Sequence, residues 1–257
     1  MSTRRVMQEP PGRPAVVTVG DELVYGERED GNRQWLLERL RALGQPAEVA
    51  LSLPDDAGAI AHWITALTDR GCKPILVAGG LGGTHDDRTR QGVAAGLGLR
   101  LEVHPECDAL LSASYGERYT AQRRRMAELP AGCALLPNPH GAPGFRVGDV
   151  FGFPGFPEML RPMAETVFAE LFPAGEARLV VIEVPLAVQE GDIALEVEAF
   201  CERHPGARVG LYPAAGSGPP GVVLRGRVPE SDAATRDAFA ALVEHLRRHE
   251  RAPGGAG

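Results

Sequence analysis

One arrangement constrains the fold more than any other: an unbroken apolar segment, residues 74–78, leads directly into the glycine-rich sequence GGLGG at residues 79–83. A continuous apolar run of this length indicates a strand that is buried on both faces, as in a parallel sheet. Residues 15–19 show the same pattern and also end at a glycine, Gly20. Glycines at the carboxyl ends of such strands let backbone amides converge without side chains in the way.

Helical patterns separate the strand-like segments along the first two thirds of the chain. This alternation is typical of parallel, right-handed βαβ units, so we predict a three-layer α/β domain with a mostly parallel sheet over residues 14–172. The other predicted strands are residues 47–53, 133–136 and 149–153. Helices are predicted after Asn32, after Asp55 or Asp56, over residues 108–128 and up to about residue 171.

The pattern restarts after the sequence FPAG at residues 172–175, which we interpret as a linker. Strands are predicted at residues 179–184, 207–212 and 222–228, and helices at residues 193–201 and 233–248. We therefore predict a small α+β domain over residues 177–250, followed by a frayed tail from residue 252.

The composition disfavours several classes of function. Hydrophobic residues make up 44% of the 257 residues and charged residues 24%, as in an ordinary globular protein. The net charge of −7 argues against nucleic acid or an anionic membrane as a partner. We find neither a membrane-spanning run nor a signal peptide, and the four cysteines lack C-x-x-C spacing. A cytoplasmic protein with buried thiols is expected.

The glycine-rich loop carries the clearest chemical signal. Its backbone N–H groups, together with a helix starting near Asp86, would suit a phosphate or a pyrophosphate. Open α/β sheets bind ligands at this edge. The loop matches neither a Walker A motif nor a dinucleotide-binding fingerprint. The candidate binding residues here are Gly79, Gly80, Gly82, Gly83 and Thr84.

Asp86 and Asp87 follow this loop directly. Two acids beside a phosphate site repel an anionic ligand unless a cation lies between them, and Mg²⁺ commonly bridges carboxylates to substrate phosphates. Asp is also a good helix N-cap, so capping and metal binding stay open as alternative, compatible roles. Under the metal interpretation, Asp86 and Asp87 are catalytic residues and ligands of Mg²⁺, Mn²⁺ or Co²⁺.

Four further segments contribute candidate residues. Residues 20–23 follow the first strand, and residues 30–32 precede a helix and alone would be a turn with an N-cap. Residues 138–145 alone would be an ordinary surface turn, and residues 154–157 break the chain before a helix. The candidate binding residues in these segments are Gly20, Asp21, Glu22, Asn32, Asn138, Gly141, Pro154 and Gly155.

Five motifs occur in order along the first predicted domain. They are GDELV at residues 20–24, DGN at 30–32, GGLGGTHDD at 79–87, NPHGAPG at 138–144 and PGFPEM at 154–159. Together they resemble the motifs of the N-terminal, molybdopterin-binding domain of the competence/damage-inducible protein A (CinA) family. Two positions depart from the family pattern: Gly83 replaces the usual Pro, and Gly31 replaces the usual Thr.

The resemblance implies a molybdopterin-binding fold, shared with MoaB/MogA-like molybdenum-cofactor proteins and with a domain of eukaryotic FAD synthases. It also implies a nucleotide or molybdopterin-type ligand, and a homo-oligomer, because members of this fold often associate. A KH-like domain often follows in the family, and residues 178–249 are similar to it in size and element order. The family's C-terminal nicotinamide mononucleotide deamidase domain is not expected in this sequence, so we do not carry over that activity.

The resemblance supports three hypotheses for the function. The first is metal-dependent hydrolysis of a nucleotide pyrophosphate such as ADP-ribose or FAD, with Asp21, Glu22 and Asn138 orienting water or the nucleoside. The second is a non-catalytic module that binds molybdopterin or a nucleotide, motivated by the changes at Gly83 and Gly31. The third, ranked lower, is molybdopterin adenylyltransferase-like activity.

Overall fold

The computed structural model describes residues 13–172, 179–214 and 221–250. The chain divides into two compact units near residue 174. Most of the predicted linker and the whole predicted tail lie outside the described residues. None of the described helices is long and apolar enough to cross a membrane.

The first unit is built on a six-stranded sheet. Its strands are β1 (Ala15–Val19), β2 (Val49–Leu53), β3 (Ile75–Ala78), β4 (Leu101–Val103), β5 (Glu128–Pro130), β6 (Ala134–Leu136), β7 (Gly144–Val147) and β8 (Val150–Phe153). The sheet order is β2-β1-β3-β8-β7-β6, and β4 and β5 pair separately. The first four strands of that order are parallel, whereas β7 is antiparallel to both of its neighbours. The predicted α/β class with a mostly parallel sheet is confirmed.

Helices pack against the sheet of the first unit. They are α1 (Asp21–Val24), α2 (Gly31–Ala42), α3 (Ala57–Asp69), α4 (Thr89–Gly96), α5 (Pro105–Tyr115), α6 (Ala121–Arg124) and α7 (Pro157–Leu171). Val17 of β1 shares one hydrophobic cluster with Ile60 of α3 and Val93 of α4. Alternate residues of a strand face opposite sides of the sheet. On the side opposite this cluster, α2 and α7 are joined by a bidentate ion pair between Arg39 and Glu165.

The continuous helix predicted over residues 108–128 is wrong. The structure has α5, a 3₁₀ turn at Gly116–Arg118, α6, a second 3₁₀ turn at Arg125–Ala127 and then β5. Gly116 lies after α5 with φ +53°, a conformation that favours glycine and ends the helix. Thr120 restarts helical structure because its hydroxyl accepts a hydrogen bond from the Arg123 amide.

The second unit is a three-stranded antiparallel sheet with two helices. Its elements are β9 (Leu179–Leu186), α8 (Glu190–Arg203), β10 (Arg208–Pro213), β11 (Val222–Pro229) and α9 (Ala233–Leu246). β11 lies in the middle of the sheet, and alternate residues along it are buried. Phe200 of α8 and Phe239 of α9 meet edge to face with ring centroids 5.8 Å apart. The domain's similarity to KH domains remains a prediction.

The cysteines are free thiols. Cys72, Cys107 and Cys133 are buried, and Cys201 is partly exposed. Burial raises the pKa of Cys107 and of Cys133 to about 11. Because the thiolate is the reactive form, both thiols are inert structural groups at neutral pH.

Candidate functional site

The candidate site lies at the edge where the parallel strands end. Asp55 follows β2, Gly20 follows β1, Gly79 follows β3 and Gly155 follows β8. The Gly20 amide donates to Leu53 at 3.0 Å, and the Gly79 amide donates to Phe153 at 3.1 Å. Neighbouring strand ends are therefore held side by side, which is where open α/β sheets bind ligands.

Gly79 and Gly80 adopt backbone conformations that exclude other residues. Gly79 has φ +105°, and a Cβ atom placed there would lie 2.2 Å from the carbonyl oxygen of Val19. Gly80 has φ +62°, and a Cβ atom there would lie 2.4 Å from the Thr89 hydroxyl. That hydroxyl donates to the Gly79 carbonyl at 2.8 Å, so the start of the loop is fixed on both sides.

Asp87 braces the loop from within. Its Oδ1 accepts from the Gly82 amide at 2.7 Å, and its Oδ2 accepts from the Thr84 amide at 2.8 Å and from the Thr84 hydroxyl. Two of the amides predicted to bind an external anion are therefore already bound to a carboxylate of the protein itself. The loop needs an anion here to satisfy converging N–H groups, and Asp87 supplies it.

The expectation of a helix beginning near Asp86 is wrong. α4 begins at Thr89, and the residue before it is Arg88, which makes no side-chain cap. Neither Asp86 nor Asp87 therefore caps this helix. The Asp87 side chain turns inward to the loop amides, and Arg88 is the one residue between it and the start of α4.

The buried guanidinium group of Arg90 binds the same loop. The sequence analysis did not predict this role. It is only 2% exposed and donates to the carbonyl oxygens of Leu81 and Gly82. Burial lowers the pKa of Arg90, and the nearby charge of Asp87 opposes that shift. The one available signal was an arginine in the first turn of a helix otherwise rich in small residues.

Four carboxylates, Asp21, Glu22, Asp55 and Asp86, share this end of the sheet, and we call them the acidic edge. Asp21 and Asp55 exchange hydrogen bonds, because each backbone amide donates to the other's carboxylate, at 3.0 and 3.1 Å. Burial raises the pKa of Asp55, and the negative charges of Asp21, Glu22 and Asp86 raise it further. The sequence predicted the start of α3 after Asp55 or Asp56, and the residue that caps α3 is Asp56.

Asp86 differs from Asp87 in its exposure to solvent. Its side chain is 62% exposed, and His85 beside it is 91% exposed. Hydrogen bonding to the Thr84 side chain lowers the pKa of Asp86, as does hydrogen bonding to its own backbone amide. Asp86 is thus an ionised carboxylate open to solvent, whereas Asp87 is engaged in the loop.

The acidic edge suits a hard cation that keeps much of its water. Within the described residues, its oxygens do not form a ready cluster of three ligands within 4.8 Å. Mg²⁺ is typically held by one or two carboxylates together with waters and substrate phosphates, so a complete protein cage is not required. The residues present therefore fit Mg²⁺ or Mn²⁺ bound jointly with an anionic ligand.

Replacing Asp55 with Asn is expected to stabilise the protein near neutral pH when divalent cations are absent. Asparagine keeps an oxygen acceptor for the Asp21 amide but removes one of the four negative charges. Because the folded-state pKa of Asp55 is raised, stability falls as the pH rises from the ordinary Asp range through that raised value. The thermal midpoint of Asp55→Asn should exceed that of the parent at about pH 7, and the gain should shrink toward about pH 4. An unchanged or lower midpoint at neutral pH would contradict mutual repulsion at this edge.

A cavity of about 120 Å³ lies beside the acidic edge and brings several predicted residues together. Its walls include Glu22, Asn32, Gly79 and Gly155. The Asn32 side-chain amide donates to the Gly155 carbonyl at 2.6 Å. Its Oδ1 is buried and has no hydrogen-bond partner within the described part of the chain. A buried acceptor left in this state is costly, and a donor on a bound ligand would satisfy it.

Asp30, in the wall of the same cavity, caps α2 as the turn interpretation predicted. Its Oδ1 accepts from the Arg33 amide at 2.9 Å. Its Oδ2 accepts from the hydroxyls of Thr18 and Ser52, which lie on the neighbouring strands β1 and β2. The short motif at residues 30–32 therefore fixes the start of α2 against the sheet and thereby sets the position of Asn32.

The remaining predicted residues do not join this cavity. Gly83 and Thr84 line a separate depression of about 420 Å³, and Asn138 and Gly141 line another of about 780 Å³. The side chain of Asn138 is occupied within its own loop, donating to the Ala142 carbonyl and accepting from the His140 amide. Pro154 follows β8 beside Gly155 and is partly buried.

Comparisons with known proteins find relatives of the first unit. Residues 15–174 match the family model described as "Probable molybdopterin binding domain". A CinA-like protein of Geobacter sp. (strain M21) is 42% identical over 180 residues, which cover 65% of this chain and 43% of that protein. A protein of Aeropyrum pernix is 33% identical over 268 residues, covering 97% of each chain.

Among solved structures, similarity extends to "the protein CinA with unknown function from Thermoplasma acidophilum". The TM-score is 0.58 at 28% identity, over 63% of this chain and 99% of that chain. The alignment with the Geobacter relative covers less than half of that relative's length. The residues matched by the family model, 15–174, are those of the α/β unit that carries the sheet edge.

Proposed function

Because the chain belongs to the molybdopterin-binding domain family and is similar there to CinA-like proteins, we propose that its sheet edge hydrolyses a nucleotide pyrophosphate with a divalent cation. ADP-ribose and FAD are the substrates of choice. The observation that carries the proposal is the acidic edge beside the glycine loop. Four carboxylates at the mouth of a site for an anionic ligand repel that ligand unless a cation intervenes.

The residues take distinct roles in this proposal. Asp86 is the exposed, ionised ligand for Mg²⁺, Mn²⁺ or Co²⁺, and Asp21 and Glu22 add negative charge that attracts the cation. When bound, the cation would polarise the phosphorus and lower the pKa of an attacking water. Asp87 keeps the loop in shape through the Gly82 and Thr84 amides.

The ligand extends beyond the cavity. A volume of about 120 Å³ is smaller than the roughly 300–1,000 Å³ of typical small-molecule sites, so it accommodates only part of a dinucleotide. Asn32 supplies an acceptor for that part. The rest lies along the open edge, where Phe156 follows Gly155 and is 62% exposed. An exposed aromatic ring in this position offers a stacking surface for a base or a pterin.

Turnover is tested with purified protein, ADP-ribose or FAD, and Mg²⁺, Mn²⁺ or Co²⁺ in turn. We expect AMP release that depends on the cation and stops when EDTA is added. AMP alone, which has no pyrophosphate bond, serves as the matched control and should remain unchanged. Absence of AMP release with every cation, although the ligand binds, would overturn hydrolysis.

A second candidate function is binding without turnover. It is favoured by the occupation of the Gly82 and Thr84 amides by Asp87, which leaves fewer backbone donors to stabilise a reacting phosphate. Calorimetry with molybdopterin or ADP-ribose, run beside the turnover assay, separates the two. Saturable binding without product supports the binding module.

A further inference from the structure

Three side chains of the second unit, Glu196, His245 and His249, come together in space. One ligand atom from each lies within 4.8 Å of the others. Glu196 is on α8, His245 is in the last turn of α9, and His249 ends the 3₁₀ turn Arg247–His249 that follows α9. Across the described residues, no other group of three His, Cys, Asp or Glu side chains converges in this way.

The spacing of these atoms is close to that of a zinc site. His249 Nε2 lies 3.5 Å from Glu196 Oε1. With zinc–ligand bonds of about 2.0–2.1 Å, two ligand atoms of a tetrahedral site are roughly 3.3 Å apart. The rings of His245 and His249 have centroids 5.8 Å apart, and both residues are exposed.

The positions along the helices explain why the side chains converge. Residues four apart on an α-helix lie on one face, and two histidines at this spacing bind a single zinc in known helical motifs. His249 lies in the 3₁₀ turn that continues α9, and its ring still lies near that of His245, with centroids 5.8 Å apart. The intervening residues, Leu246, Arg247 and Arg248, do not form the metalloprotease pattern, which has a glutamate after the first histidine. Glu196 reaches the pair from α8, and the packing of Phe200 against Phe239 already fixes α8 beside α9.

The ligand types select the metal. Two imidazole nitrogens and one carboxylate oxygen suit zinc, whereas Mg²⁺ and Ca²⁺ prefer all-oxygen sites. The cation expected at the acidic edge and the cation expected here are therefore of different kinds.

We propose that Glu196, His245 and His249 form a zinc site that ties the end of α9 to α8 and leaves a fourth position for water. Because zinc binds the folded unit and not its separated helices, it stabilises that unit by an amount that grows with the logarithm of the zinc concentration above Kd. The site is independent of the proposed hydrolysis, since all three ligands belong to the second unit.

The test uses untagged protein, because a polyhistidine tag would itself bind the metal. Calorimetric titration with Zn²⁺ should show one equivalent bound, and Co²⁺ in its place should give the intense visible absorption of a tetrahedral complex. His245→Gln and His249→Gln should each weaken zinc binding at least ~10-fold, since each removes one of three protein ligands. His62→Gln, a change at an exposed helical histidine of the first unit, should leave it unchanged.

Three results would overturn the proposal. One is zinc affinity that is the same in both ligand variants as in the parent. Another is a Co²⁺ spectrum with only the weak bands of octahedral oxygen coordination. The third comes from a variant at the acidic edge. Asp86→Asn should retain the zinc equivalent, so loss of that equivalent in this variant would place the metal at the acidic edge instead. Circular dichroism of each variant checks that the exposed substitutions leave the fold intact.

Discussion

Replacing Gly79 with Ala is expected to lower the free energy of unfolding of the first unit by about 3 kcal/mol or more. The added Cβ would lie 2.2 Å from the Val19 carbonyl oxygen, and the backbone has φ +105°, which non-glycine residues rarely adopt. Relief requires β1 and β3 to separate at their carboxyl ends. The same movement would displace the glycine loop, so ligand binding should be lost as well.

Gly98→Ala is the matched control for this substitution. Gly98 also has a positive φ, +67°, but an added Cβ would have no heavy atom within 4 Å. Its cost should be only the backbone strain of about 1–2 kcal/mol. Urea unfolding, monitored by tryptophan fluorescence, measures the stability loss of each variant. The chain's two tryptophans, Trp35 and Trp63, both lie in the first unit. Equal losses in the two variants would contradict the close approach at Gly79.

Asp86→Asn and Asp87→Asn are expected to impair different properties, which are turnover in the first variant and stability in the second. Asp86→Asn should reduce cation-dependent turnover by about 100-fold, because it removes a charged ligand, while leaving the unfolding midpoint unchanged. Asp86 is 62% exposed, so the fold does not depend on its carboxylate. Steady-state kinetics beside urea unfolding measures both properties in one preparation.

Asp87→Asn should instead destabilise the loop. Asparagine has one acceptor oxygen, so it cannot serve both the Gly82 and Thr84 amides, and its NH₂ group would face one of these donors. We expect a loss of about 1–3 kcal/mol in the free energy of unfolding, together with weaker ligand binding. An Asp87→Asn protein of unchanged stability, or an Asp86→Asn protein with full turnover, would contradict these roles.

The sheet could be predicted because its central strands carry strong local signals. Residues 15–19 and 75–78 are buried throughout and, apart from Thr18, apolar, and a glycine follows each segment. β4, β5 and β7 were missed, because each of these short segments contains a charged residue and so lacks the unbroken apolar run that indicates a buried strand. The break after α5 depends on the single glycine at position 116.

The positions of the site residues could be predicted from the sequence only where those residues directly follow predicted parallel strands. Asp21 and the glycine loop follow neighbouring parallel strands, so the sequence alone places them at one edge. The inward turn of Asp87 depends on loop dihedral angles that no local pattern reveals. Arg90 and Asp55 were missed for a related reason: their roles arise from burial and from charges on other segments.

The most direct test of the central claim is calorimetric titration of ADP-ribose into the protein with Mn²⁺ and, separately, with EDTA. The acidic edge should oppose the anionic ligand unless a cation intervenes, so affinity with Mn²⁺ should exceed that with EDTA by at least ~10-fold. The Asp86→Asn variant should lose most of this difference. Equal affinity for ADP-ribose in Mn²⁺ and EDTA would contradict the account, because it would show that the carboxylates do not recruit a cation to the ligand.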